Sequence, residues 1–120
     1  MRSVLTQIIA SRAGVLMLLS FAAFLEAWGD SYFQSALHRS SGMTRVIFFV
    51  VGAVVLSLYG LLVNTPGWDF GKLLGVYIVF FFLVAQVVAR VRFHRMPTPH
   101  ILLGGILIVA GGIVISFSKP

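Results

Sequence analysis

The stretch 44-TRVIFFVVGAVVLSLYGLLV-63 carries one charge, Arg45, near its start, and is otherwise apolar except for Ser57 and Tyr59. About 20 such residues in a helix cross ~30 Å of hydrocarbon. A helix also pairs its own peptide groups, which lipid cannot do for it. The stretch therefore reads as a membrane-spanning helix over about 44–63.

Working outward, Asn64-Thr65-Pro66-Gly67 reads as a turn, because proline presets one backbone angle and glycine accepts the other. A further apolar run covers about 70–92, with Trp68 placed before it as an interfacial anchor would be. Arg90, Arg92, His94 and Arg95 close that run, and Pro97 and Pro99 stop the helix from continuing. The last helix is expected over about 99–117, with Pro99 suited to a first turn.

Upstream, the clearly apolar run Ala13–Leu25 is too short to span, so the first helix is extended through Glu26 to about residue 37. His38-Arg39-Ser40-Ser41-Gly42 follows as a loop. Residues 1–12 form a short amphipathic segment expected at the interface. Arg2 with the following apolar run resembles a secretory signal, but Glu26 interrupts the run and no small-x-small cleavage site closes it. The fold class expected is an all-α membrane protein, residues 1–120 forming one domain of four transmembrane helices in a small bundle.

Composition excludes most alternatives. Of the 120 residues, 59% are hydrophobic and 10% charged, with a mean hydropathy of +1.03. A soluble domain has about a quarter of its residues charged, so these charges cannot coat a globule. The net charge of +6 does not imply nucleic acid, because the arginines lie beside apolar runs, where they meet lipid phosphates. The chain has no cysteine, which removes disulfides and thiolate-held metals.

Four spans put Arg2, Arg12, Lys72 and Lys119 on one side and Arg39, Arg45, Arg90, Arg92 and Arg95 on the other. Lys/Arg excess in short loops fixes orientation. With no clear excess, insertion both ways up is expected, unless some arginines are helix-embedded and do not count.

Glu26 is the sharpest feature. An ionisable group at mid-depth costs several kcal/mol and marks a functional site. Ala22, Ala23, Gly29 and Asp30 share its helical face, and the small residues leave room for a neighbouring helix or a ligand. Withdrawal from water disfavours the charged carboxylate, so proton and cation would compete for it. The alternative is a permanent pair with an arginine of another helix.

Asp30, one turn on, is read as an interfacial acid facing His38 or Arg39 rather than a second proton site. Asp69 is expected to pair with Lys72, and Gln86 to hydrogen-bond across helices as polar glue. No metal is expected, since His38, His94 and His100 lie in loops or at helix ends without ligand spacing. The pairs Gly104-Gly105 and Gly111-Gly112 recur after two turns and place a small-residue stripe on the fourth helix. It serves either a second copy or internal packing against Gly52 and Gly60 of the second helix. Gly71 and Gly75 have GxxxG spacing but lie at a helix entrance.

Glu26-Ala27-Trp28-Gly29, Gly75-Val76-Tyr77 and the Gly104 to Gly111 repeat together resemble the small multidrug resistance superfamily, four-helix membrane transporters, and most nearly its YnfA-type branch. The likeness runs from about Gly14 to Phe117. It implies an antiparallel homodimer, or a heterodimer with a paralogue, in a bacterial inner membrane. It also implies that Glu26 binds proton and cation alternately, that Tyr77 shares the substrate site, and that Gly104 and Gly111 lie at the dimer contact; Asp30, one turn from Glu26, is the further candidate for that site. Phe70 and Leu73 stand where the drug-exporting branch has a tyrosine and a tryptophan, a departure that speaks against aromatic drugs as substrates.

The leading expectation is proton-coupled export of a small cationic solute. Lipid-linked solute flipping is a second transport reading, and a non-transporting membrane subunit is a third. An enzyme is not expected, because the helices hold no paired catalytic acids and no Ser/His arrangement.

Overall fold

A computed structural model describes residues 11–118. The expected interfacial segment lies outside them except for Ser11 and Arg12, and so do Arg2 and Lys119 of the charge count. Four helices follow one another: α1 Arg12–His38, α2 Gly42–Val63, α3 Phe70–Phe93 and α4 Pro99–Ser116. All four are long and apolar enough to cross a membrane.

Local chemistry sets the helix ends. The Ser11 hydroxyl accepts from Gly14 N at 2.9 Å and starts α1. Asp69 Oδ2 accepts from Lys72 N at 3.3 Å, and Thr98 Oγ1 from Ile101 N at 3.3 Å. Each such cap satisfies a backbone donor that a helix start leaves free. Asp69 thus caps a backbone N–H of Lys72 rather than pairing with its side chain, because the Lys72 ammonium is engaged elsewhere. α2 begins at Gly42, two residues before the expected Thr44, and Gly42 takes φ +60°, which glycine adopts without steric cost.

The helices pack in the order α2–α1–α3–α4, each backbone lying against its neighbours in that row, and α4 against α3 alone. The molecule measures 48 × 41 × 20 Å, so it is about two helix diameters thick. Because lipid is as apolar as leucine, close fit rather than expulsion from water holds such helices together. At the α1–α2 crossing, a Cβ on Gly52 would lie 3.0 Å from the Phe33 ring and 3.1 Å from Gly29 O, and one on Gly29 would lie 2.9 Å from Leu56. At the α3–α4 contact, Gly105 lies under Phe82, Gly112 under Val79 and Gly75 under Ile115.

The internal partner of the α4 glycines is therefore α3, not α2. Gly52 is covered by α1, and no other helix among the described residues packs on Gly60. Of each α4 pair, only the second glycine faces inward. At Gly104 and Gly111 no described residue beyond their own stretch of helix comes within 4 Å of where a Cβ would stand.

The main cluster of buried apolar side chains lies toward one end of the helices. Val15, Leu18, Leu19, Ala22 and Ala23 of α1 meet Val63 of α2 and Leu73, Val76 and Tyr77 of α3. These all belong to the half where α1 and α3 begin and α2 ends, here termed the Arg12 side. On that side Arg12 Nη2 donates to Ser116 O at 3.3 Å and Lys72 Nζ to Ser118 O at 2.7 Å. Two cations on α1 and α3 thus hold the C-terminal carbonyls of α4, where the helix dipole favours positive charge.

Candidate functional site

Glu26 lies near the middle of α1, about 21 Å from Arg12 and 18 Å from His38 at 1.5 Å per residue. With ~30 Å of hydrocarbon to cross, that is close to mid-depth. Tyr77 of α3 donates its hydroxyl hydrogen bond to Glu26 Oε1 at 2.8 Å. The Tyr77 ring is buried and stacks on Tyr59 of α2, with centroids 5.8 Å apart and planes at 30°. Three helices therefore converge on the carboxyl group through two aromatic rings.

Among the described residues no basic side chain pairs with Glu26, so the alternative of a permanent arginine partner is not what the structure holds. The small residues on its face have one of the two expected uses. Ala22 and Ala23 are fully buried in the core, and Gly29 lets α2 approach. They bring helices together.

Open space begins one turn further on. Beyond Glu26, away from the Arg12 side, α1 and α3 part to form a cleft of about 280 Å³. Asp30, Ser31 and Gln34 supply its polar edge, and Phe81, Ala85 and Ala89 part of its apolar wall. Asp30 therefore faces this cleft rather than His38 or Arg39. It is about 12 Å of helix rise short of His38 and makes no hydrogen bond to another described residue. The cleft continues outward into a second of about 260 Å³, which shares Gln34, Ala89 and Phe93 and adds Arg39 and Arg95.

The chain is thus closely packed on the Arg12 side and carries a cleft on the His38 side, with Glu26 one helical turn from the Asp30 of that cleft. A half-buried carboxylate so placed can take a proton or a small cation.

Several features departed from expectation or escaped it. Gln86 bonds to no other described residue, so it is not glue within one copy of the chain. Arg92 does not merely end α3. Its guanidinium reaches α1, donating to Ser35 Oγ at 2.8 Å and lying 4.6 Å from the Tyr32 ring centroid and 5.3 Å from that of Trp28. The signal was present as Trp28, Tyr32 and Ser35, one stripe at i, i+4, i+7. Arg45 likewise donates to Ala36 O at 2.8 Å and Ser40 O at 2.9 Å, securing the end of α1. Tyr59 was noted only as a polar exception within an apolar run.

Among the described residues no group of His, Asp and Glu is placed to hold a metal ion. No family model, curated protein or solved structure matches the chain.

Proposed function

We propose that the protein is a proton-coupled secondary transporter that exports a small cationic solute, with Glu26 exchanging proton for substrate. The observation that carries this reading is a mid-depth carboxyl group that accepts a hydrogen bond from the Tyr77 hydroxyl, pairs with no basic side chain among the described residues, and stands one helical turn from Asp30 at the edge of a cleft. A phenol orients a carboxylate without neutralising it, so the charge stays available to a cation, whereas a guanidinium would consume it.

The working unit is an inverted, antiparallel homodimer in a bacterial inner membrane. Two features support it. Gly104 and Gly111 present a bare stripe on the face of α4 away from α3, which suits close approach of a second α4. The Lys/Arg residues are divided almost evenly between the two sides, which suits insertion both ways up. In such a pair the open side of one copy faces the membrane surface opposite to that of its partner. Tilting each copy between open and closed forms would expose the paired glutamates alternately. A partner's paralogue in place of the second copy would satisfy the same geometry.

The experiment is uptake into proteoliposomes under an imposed pH gradient, using a panel of small alkylammonium and guanidinium cations. Wild type is expected to accumulate at least one of them against its gradient. Glu26→Gln, which keeps the shape and the Tyr77 contact, is expected to insert and dimerise but lose proton-driven accumulation. Proton-driven accumulation by Glu26→Gln equal to wild type would refute the proposal.

A further inference from the structure

The outer part of the α1–α3 cleft carries chemistry that a cation pathway does not call for. Arg39, at the end of α1, and Arg95, just past α3, flank one recess with Gln34, Ala89 and Phe93. The other arginines on that side are mostly committed. Arg45 is bound to two carbonyls and Arg92 to Ser35 and an aromatic pair. Among the described residues the Arg39 guanidinium is only stacked, 4.6 Å from the Phe93 ring centroid, which leaves its N–H edge for a ligand. The Arg95 side chain bonds to no other described residue.

Arg95 is also placed deliberately by the backbone. His94 takes a left-handed conformation, φ 54°, and Arg95 N then donates to Ala89 O at 3.1 Å. That turn folds the chain back over the end of α3 instead of leading it away. A left-handed residue at this position is a common way for a helix to end, and here it leaves Arg95 beside the recess.

Deeper in the same continuous cleft stand acceptors: the Asp30 carboxylate and the Gln34 amide. One turn of α1, about 5–6 Å of rise, separates them. The cleft thus offers, from the membrane surface inward, two cations, then an amide, then an anion, beside an apolar wall.

We infer that this cleft is a headgroup site for an aminophospholipid of the leaflet on the His38 side. The phosphate lies between Arg39 and Arg95, which present charge-assisted donors to its oxygens. The primary ammonium points inward to Asp30 and Gln34, and the acyl chains leave along the apolar outer face. A primary ammonium donates three hydrogen bonds and a trimethylammonium none, so ethanolamine lipid is preferred to choline lipid. The site shares the cleft with the proposed cation pathway, but its test reads lipid retention and stands whether or not Glu26 exchanges cations.

The test is native mass spectrometry of the full-length protein from nanodiscs of palmitoyl-oleoyl phosphatidylcholine doped with the matching phosphatidylethanolamine. Wild type is expected to retain ethanolamine lipid preferentially. The double variant Arg39→Gln/Arg95→Gln should reduce retention by at least about tenfold, since even one lost charge-assisted contact is on that scale. Asp30→Asn should keep phospholipid but lose the preference for ethanolamine. Arg90→Gln, which removes an exposed arginine of the same side outside the cleft, and Glu26→Gln should change neither. A loss on Arg90→Gln as large as that of the double variant would show diffuse surface attraction and overturn the assignment. So would equal retention of choline lipid by wild type. Displacement of bound lipid by free phosphoethanolamine at millimolar concentration, matched by isotherms abolished in the double variant, would reassign the site to a soluble phosphoamine and overturn the lipid.

Discussion

Glu26 and Tyr77 come together from helices 51 positions apart in sequence, and only half of that meeting is visible in the chain itself. A lone acid inside an apolar run stands out because hydrocarbon penalises it. Its partner does not, because which side of α3 faces α1 depends on how the helix is rotated by its other contacts. Tyr77 entered the expected site only through the likeness of Gly75-Val76-Tyr77 to a known transporter segment. Asp30 shows the same limit: the divergence of α1 from α3, which gives it a cleft to face, cannot be read along α1 alone. Tyr77→Phe tests the contact alone, since the ring and its stack on Tyr59 survive. A hydrogen bond to a charged group contributes about 1.5–3 kcal/mol, so cation affinity by titration calorimetry should fall at least about tenfold with helicity unchanged. Tyr77→Phe affinity equal to wild type would mean that the hydroxyl is incidental.

At the scale of elements, the four helices were legible because twenty apolar residues between turn or basic segments have few other uses. Their packing order was not. Each α4 glycine pair recurs every seven residues, so both members of each pair form equally good stripes, and only the coordinates show that Gly105 and Gly112 face α3 while Gly104 and Gly111 face outward. The distinction makes opposite predictions for similar substitutions. Gly112→Leu would overlap Val79 and should separate α4 from α3, visible as a lower detergent-denaturation midpoint of the isolated chain. Overpacking of this kind costs about 1–3 kcal/mol. Gly104→Leu/Gly111→Leu should leave that midpoint unchanged and shift size-exclusion mass from dimer to monomer. A stable dimer in the second variant would place the contact elsewhere. Lys72→Met should loosen the end of α4 by removing the bond to Ser118 O, read as faster amide exchange over the last turn of that helix.

For the whole molecule, the decisive property is asymmetry along the helix axes: the main buried cluster lies toward the Arg12 side and the cleft toward the His38 side. The chain contains no cysteine, so single cysteines report accessibility without background. Gln34→Cys in the cleft should react with a membrane-impermeant thiol reagent, whereas Ala23→Cys in the core should not. In intact cells Gln34→Cys should label to about half, because a dual-inserted population shows its open side to each compartment equally. The most direct test of the account is proton release in weakly buffered detergent on adding the small alkylammonium and guanidinium panel. Wild type should release protons with at least one of these cations, and Glu26→Gln with none. Equal release from both proteins, or binding by wild type with no proton released, would contradict exchange at this carboxyl group.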